Sequence, residues 1–106
     1  MAVTAKEKGN ALYKETNFEA ALAAYDEAIA LDSSAVLFHS NKAAVYIEMG
    51  EPDKAVEICE AAVQLGRSQR ASYVEIAKLY HRMAAAYLKK DDFPTAKECY
   101  AKAQME

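Results

Sequence analysis

One unit recurs three times along this chain, and that recurrence constrains its fold more than any other feature. Displacing the sequence by 34 residues aligns Leu12 with Tyr46, Ala21 with Ala55, Tyr25 with Cys59, Ala28 with Ala62 and Leu31 with Leu65. A further displacement of 41 aligns Tyr46 with Tyr87, Ala55 with Ala96, Cys59 with Tyr100 and Ala62 with Ala103. Phe18 meets Phe93 across both steps. Periods of this length belong to stacked repeats, in which each unit buries its apolar face against its neighbours.

Composition decides what each unit is made of. The 106 residues are 53% hydrophobic and rich in Ala, with Gly 3, Pro 2 and no Trp, which favours helix nearly throughout. Each unit reads as two helices. In the first, Thr4 and Glu7 have capping-box spacing, and the helix is expected to run to about Glu15. Asn17 is placed to cap a second helix ending near Leu31. In the second unit, helices are expected from about Ala35 to Met49 and from Pro52 to Leu65. Gly50 breaks the first, Pro52 suits the first turn of the next, and Gly66 supplies a left-handed C-terminal cap. The third unit predicts a long helix from about Gln69 to Lys90, then a last one from about Phe93 with Asp92 as its cap. On this reading the seven additional residues add two turns to that long helix and leave its face nearly unrotated.

Small residues recur where helices must approach. Gly9, Ala43 and Ala84 share one position; Ala21, Ala55 and Ala96 a second; Ala28, Ala62 and Ala103 a third. Leu12, Tyr46, Tyr87, Tyr25 and Tyr100 are expected to fill the space beside them, as core residues.

This pattern of small and large positions on a 34-residue helix pair resembles the tetratricopeptide repeat. The resemblance covers nearly the whole chain and implies an all-α fold. Three helix-turn-helix repeats (2–35, 36–69 and 70–106) would form one domain, stacked as a right-handed superhelix with the first helix of each pair lining a groove. Lys8 and Lys42 stand where the family commonly has Leu, and Ala5 and His39 where it commonly has a large aromatic. No capping helix follows the last repeat, so the chain reads as a domain of a longer protein. The face formed by Ala96, Cys99, Tyr100 and Ala103 is then expected to be uncovered, in a monomer capable of weak self-association through it.

Net charge is -3, which argues against nucleic acid as a partner, because phosphate affinity needs a net basic face. No apolar run approaches the roughly 18 residues that cross a bilayer, and the start lacks the apolar core of a signal peptide. Cys59 and Cys99 stand apart without metal-ligand spacing and read as core thiols in a reducing, cytoplasmic setting. No nucleophile–base pair, Gly-rich phosphate loop or metal-ligand cluster points to an enzyme, a metal or a cofactor. His39 and His81 read as structural or groove-edge residues.

The groove-facing positions carry the chemistry. Residues four apart share a helix face, and Lys6 with Asn10, and Lys78 with Arg82, are such pairs on the first helices of repeats one and three. Asn41 lies between them on repeat two. Like charges one turn apart gain nothing from each other, so Lys78 and Arg82 suit an arriving anion. Three cations and two amides, converging, fit the two carboxylates of a C-terminal Asp. The segments KEKGNALYK, SNKAAVYIEMG and GRSQRASYVEIAKLYHR also resemble the dicarboxylate-clamp class of co-chaperone repeats, in particular the middle domain of the Hsp70/Hsp90-organising family.

That resemblance implies Lys6, Asn10, Asn41, Lys78 and Arg82 as the clamp, and a partner whose tail ends in Glu-Glu-Val-Asp. Met precedes this tail in heat-shock protein 90 and Ile in heat-shock protein 70. Tyr13 and Glu48 match positions that receive the residue upstream of the acidic pair, and Ala44 a wall of the Val pocket. The heat-shock protein 90 tail is the expected ligand. Alternatives are the heat-shock protein 70 tail, or a scaffold without a clamp that takes internal segments or self-associates.

Overall fold

Six helices carry the chain in the computed structural model, which describes residues 2–32, 35–69 and 73–105. They are α1 (Ala2–Lys14), α2 (Phe18–Leu31), α3 (Val36–Glu48), α4 (Pro52–Ser68), α5 (Tyr73–Lys89) and α6 (Phe93–Met105). There is no strand among the described residues. Successive helices pack as neighbours throughout; α3 also lies along α5 and meets α1 over a short stretch.

Each pair closes through the same turn. Thr16, Gly50 and Asp91 occupy equivalent positions, and all three are left-handed, with φ of 61°, 79° and 58°. The amide of the following residue bonds back to the last turn of the helix: Asn17 to the Leu12 carbonyl, Glu51 to Tyr46 and Asp92 to Tyr87, each at 2.9 Å. Thr16, Gly50 and Asp91 donate to Tyr13, Ile47 and Leu88 at 3.0, 3.1 and 3.1 Å. These paired bonds satisfy carbonyls that a helix end leaves open. The periodicity thus repeats in backbone geometry although only one of the three residues is Gly.

All nine small positions are buried. Gly9 shows why size matters: a Cβ there would lie 2.7 Å from Cε1 of Tyr25, whose ring lies against α1. Ala5, where a large aromatic was the alternative, packs with Ala28 and Phe38. The largest core cluster joins α3 to α6 around Cys59, Leu79 and Met83. Leu79 is fully buried and contributes about 1.5–3 kcal/mol on transfer grounds. Lys42, at a position where Leu is common, instead reaches Asp26 on α2 at 2.6 Å.

Several sequence expectations are corrected. Thr4 and Glu7 lie inside α1, which begins at Ala2, because Ala2 extends the helix at little cost; they form no N-terminal box. Asn17 sits at the start of α2 but makes no side-chain capping bond. Asp92 does cap α6, accepting from the Thr95 amide at 3.3 Å. Gly66 is buried within α4, which continues to Ser68; Ser68 Oγ then donates to the Leu65 carbonyl at 2.8 Å.

Gln69 ends α4 and does not begin α5. Relative to the 34-residue unit, residues 66–68 lengthen α4 and residues 73–76 lengthen α5. The seven additional residues therefore add about one turn to each of two helices, since neighbouring helices that grow together keep their packed faces matched. Residues 70–72, within the long helix expected there, lie outside the described residues. On α6, Ala96, Cys99 and Ala103 are buried; they form the stripe that meets the rest of the stack, not an uncovered face. Tyr100 is 38% exposed and so lies at the edge of the core, with its ring edge-on to His81 at 5.6 Å.

Candidate functional site

The groove is built by α1, α3 and α5, with one contribution from α2. Asn10 and Tyr13 from α1, Asn41 and Ala44 from α3, and Arg82 from α5 line a single cleft of about 280 Å³. Helical spacing explains the set: Asn10 with Tyr13, and Asn41 with Ala44, are three apart and share a face. Arg82 also lines a second cleft, of about 420 Å³, where it and Lys78 face Leu37 and Ser40 of α3, with His81 and Ala85 completing the wall. A third cavity, of about 230 Å³, adjoins Lys78 and is lined by Ala35, Val36, Leu37, Ser40 and Glu75.

Two predicted residues are less central. Lys6 is half-buried one turn before Asn10 and is not in the lining of these clefts. Glu48 is exposed and reaches the site through its charge. Tyr13 reports that influence: burial and the Glu48 carboxylate raise its pKa, and the Arg82 guanidinium pulls it back. Its ring also packs at 6.1 Å from Phe18.

The ion pairs Lys42–Asp26, Lys54–Glu51 and Lys90–Asp53 are made by residues other than Lys6, Lys78 and Arg82. Arg82 is half-buried while Lys78 is exposed, so the guanidinium sits in the more desolvated place. A cleft with a partly buried fork of donors, two side-chain amides and an exposed ammonium nearby can bind carboxylate oxygens through charge-assisted hydrogen bonds.

Two residues that line the first cleft were not singled out as groove residues from the sequence. Lys14 adds a fourth cation at the α1 end of the first cleft. Its position four beyond Asn10 was the available signal. Tyr25, read as core, is indeed 2% exposed, yet it also borders the cleft and donates its hydroxyl to Asn10 Oδ1. Nothing in the spacing of two residues on different helices signals that bond.

Stacked helix pairs closed by identical turns, with a groove along the first helices, define a helical-repeat protein. The chain belongs to the tetratricopeptide-repeat family: one tetratricopeptide-repeat pattern matches residues 33–104, and a second TPR-repeat pattern matches residues 9–50. It is similar to the Hsp70-Hsp90 organising protein of Plasmodium falciparum (isolate 3D7), 42% identical over 101 residues. That match takes in 95% of this chain and 18% of the relative. It is 42% identical over 105 residues to Stress-induced-phosphoprotein 1 of Caenorhabditis elegans, covering 99% of this chain and 33% of that protein. The chain thus spans a third or less of these relatives. Among solved structures it resembles the TPR2AB domain of yeast Sti1 in complex with pHSP90, with TM-score 0.96 and 34% identity, covering 99% of this chain and 40% of that one.

Proposed function

We propose that this chain is a peptide-binding co-chaperone module. In this reading Lys6, Asn10, Asn41, Lys78 and Arg82 clamp the C-terminal Met-Glu-Glu-Val-Asp tail of heat-shock protein 90. The observation that carries the proposal is that Asn10, Asn41 and Arg82, from three different helices, line one cleft, and that Arg82 lines a second together with Lys78. The likeness to a yeast Sti1 domain bound to pHSP90 supports the choice of ligand.

The terminal Asp brings two carboxylates within one residue. Arg82 and Lys78 supply charge, and Asn10 and Asn41 supply neutral donors plus an acceptor for a peptide N–H. In the free protein Lys78 and Arg82 repel one another, and a dianion relieves that cost. Ala44, 9% exposed in the cleft wall, offers a small apolar surface for the Val side chain. Tyr13 lines the same cleft and the Glu48 carboxylate acts on it through its charge, and this reading assigns both to the residue upstream of the acidic pair. Lys6 acts from the edge as a longer-range charge.

A titration tests this with three peptides: one ending in Met-Glu-Glu-Val-Asp, its C-terminal amide, and one ending in Ile-Glu-Glu-Val-Asp. The first is expected to bind with Kd on the order of micromolar, about -8 kcal/mol. The amide should bind at least tenfold more weakly, because a clamp requires the free carboxylate. Equal binding of acid and amide would favour a groove for internal segments. Tighter binding of the Ile peptide would reassign the tail to heat-shock protein 70.

A further inference from the structure

We propose that Tyr25 is a positioning residue for this groove: its buried hydroxyl holds Asn10 Oδ1, so that Asn10 meets the ligand mainly through its Nδ2 donors. The inference rests on the clamp reading above and adds a residue from α2, outside the groove-lining helices. Tyr25 is 2% exposed, with its ring in a cluster with Ala21 and Val45. Its hydroxyl reaches the floor of the cleft and donates to Asn10 Oδ1.

The chemistry follows from what an amide can offer. Asn has one acceptor oxygen and an NH2 with two donors. Once the oxygen is engaged by the phenol, the NH2 is the main free hydrogen-bonding end. A donor-rich face beside Arg82 suits a carboxylate and discriminates against a ligand amide or ammonium. Burial and the neighbouring Tyr13 raise the Tyr25 pKa, while Arg82 opposes them, so the phenol keeps its proton at neutral pH and remains a donor. An Asn10 free to flip would also present its oxygen to the incoming carboxylate. Fixing it removes that repulsive state before the ligand arrives.

The ring reaches this place because residue 9 has no side chain. A Cβ at Gly9 would meet Tyr25 Cε1 at 2.7 Å and Cδ1 at 2.8 Å. Gly9, Asn10 and Tyr25 therefore form one support: adjacent residues of α1, one admitting the ring and the other receiving its hydroxyl.

The test is a double-mutant cycle on the intact chain, titrated with the free-acid Met-Glu-Glu-Val-Asp peptide. Tyr25→Phe removes only the hydroxyl and should weaken binding about fivefold, in line with one neutral hydrogen bond. Asn10→Ala should weaken it at least tenfold. Adding Tyr25→Phe to Asn10→Ala should change Kd less than twofold, because the hydroxyl acts only through the amide. Gly9→Ala, which keeps the tyrosine but displaces its ring and so draws the hydroxyl off Asn10, gives a second route to the same Asn10-dependent loss. Should Tyr25→Phe lower the melting temperature too far for titration, that variant decides. Tyr25→Phe binding as wild type, or weakening binding equally in both backgrounds, would overturn the inference. If wild type itself ignores the free-acid peptide, the clamp reading fails first; if it binds and only Asn10→Ala weakens it, the clamp stands and the role of Tyr25 falls.

Discussion

Thr16 and Asp91 hold the same left-handed backbone at equivalent turns of the first and last helix pairs, with φ of 61° and 58°. The intervening equivalent is Gly50, at 79°. The geometry is set by the turn, and the residue type only changes its cost. A β-branched Thr is strained there, whereas Asp tolerates this region better.

Thr16→Gly should therefore stabilise the fold by about 0.5–1 kcal/mol, with relief of strain exceeding the added entropy of the unfolded chain. Gly50→Ala should destabilise it by about 1 kcal/mol, although no atom lies within 4 Å of a Cβ there. Urea unfolding midpoints measure both. Shifts of the same sign would mean that these turns are not equivalent.

Lys78→Ala and Arg82→Ala should each weaken the acidic peptide at least tenfold and leave the circular dichroism spectrum unchanged. A lost charged hydrogen bond costs about 1.5–3 kcal/mol in a partly desolvated groove. In the free protein, removal of either cation relieves repulsion and suits a helix. Arg82→Lys keeps the charge but loses the planar fork, so an intermediate loss is expected. Well-folded alanine variants with wild-type affinity would sink the clamp.

Recognition should be salt-sensitive. Lys78 is exposed and Arg82 half-buried, so raising ionic strength from about 0.01 to 1 M, over which the screening length falls from about 30 to 3 Å, should steadily weaken the peptide. Calorimetric titrations across that range are the measurement. A flat Kd would assign recognition to apolar contacts.

Alkaline pH should destabilise the chain through Cys59. Burial pushes its thiol pKa up to about 12 from an ordinary 9.0. Between these values the native thiol keeps a proton that the unfolded one has released. Its stabilising contribution is thus complete below about pH 9 and is lost as pH rises toward 12. One such group gives a slope of up to about 1.4 kcal/mol per pH unit. Cys59→Ala lowers overall stability by opening a cavity but should reduce the slope from about pH 9 to 10, leaving the share of Cys99, which burial also raises; Tyr13, Tyr25 and Tyr87, all raised, add to the decline above that. Parallel wild-type and variant slopes would show that the thiol does not carry the effect.

The sequence by itself determined the repeat and which faces are buried. Gly9, Ala43 and Ala84, with the six alanines of the other two small positions, were all identifiable from register alone, and all are buried. Helix periodicity encodes a buried stripe directly, because packing selects it at every turn. The same logic brought Asn10, Asn41 and Arg82 onto one side, and they do share a cleft.

Tertiary structure decided everything that depends on the distance between helices. Periodicity says that a face is buried but not against what, so Ala96, Cys99 and Ala103 were read as uncovered when α6 in fact buries them. It counts inserted residues without apportioning them, so the lengthening of α4 as well as α5 was invisible, and with it the helical place of Gly66. The Tyr25 hydroxyl meets Asn10 only because α2 packs against α1 at the unfilled Gly9. Chain spacing carries no record of that approach; it is fixed when the two helices close and the ring must find room.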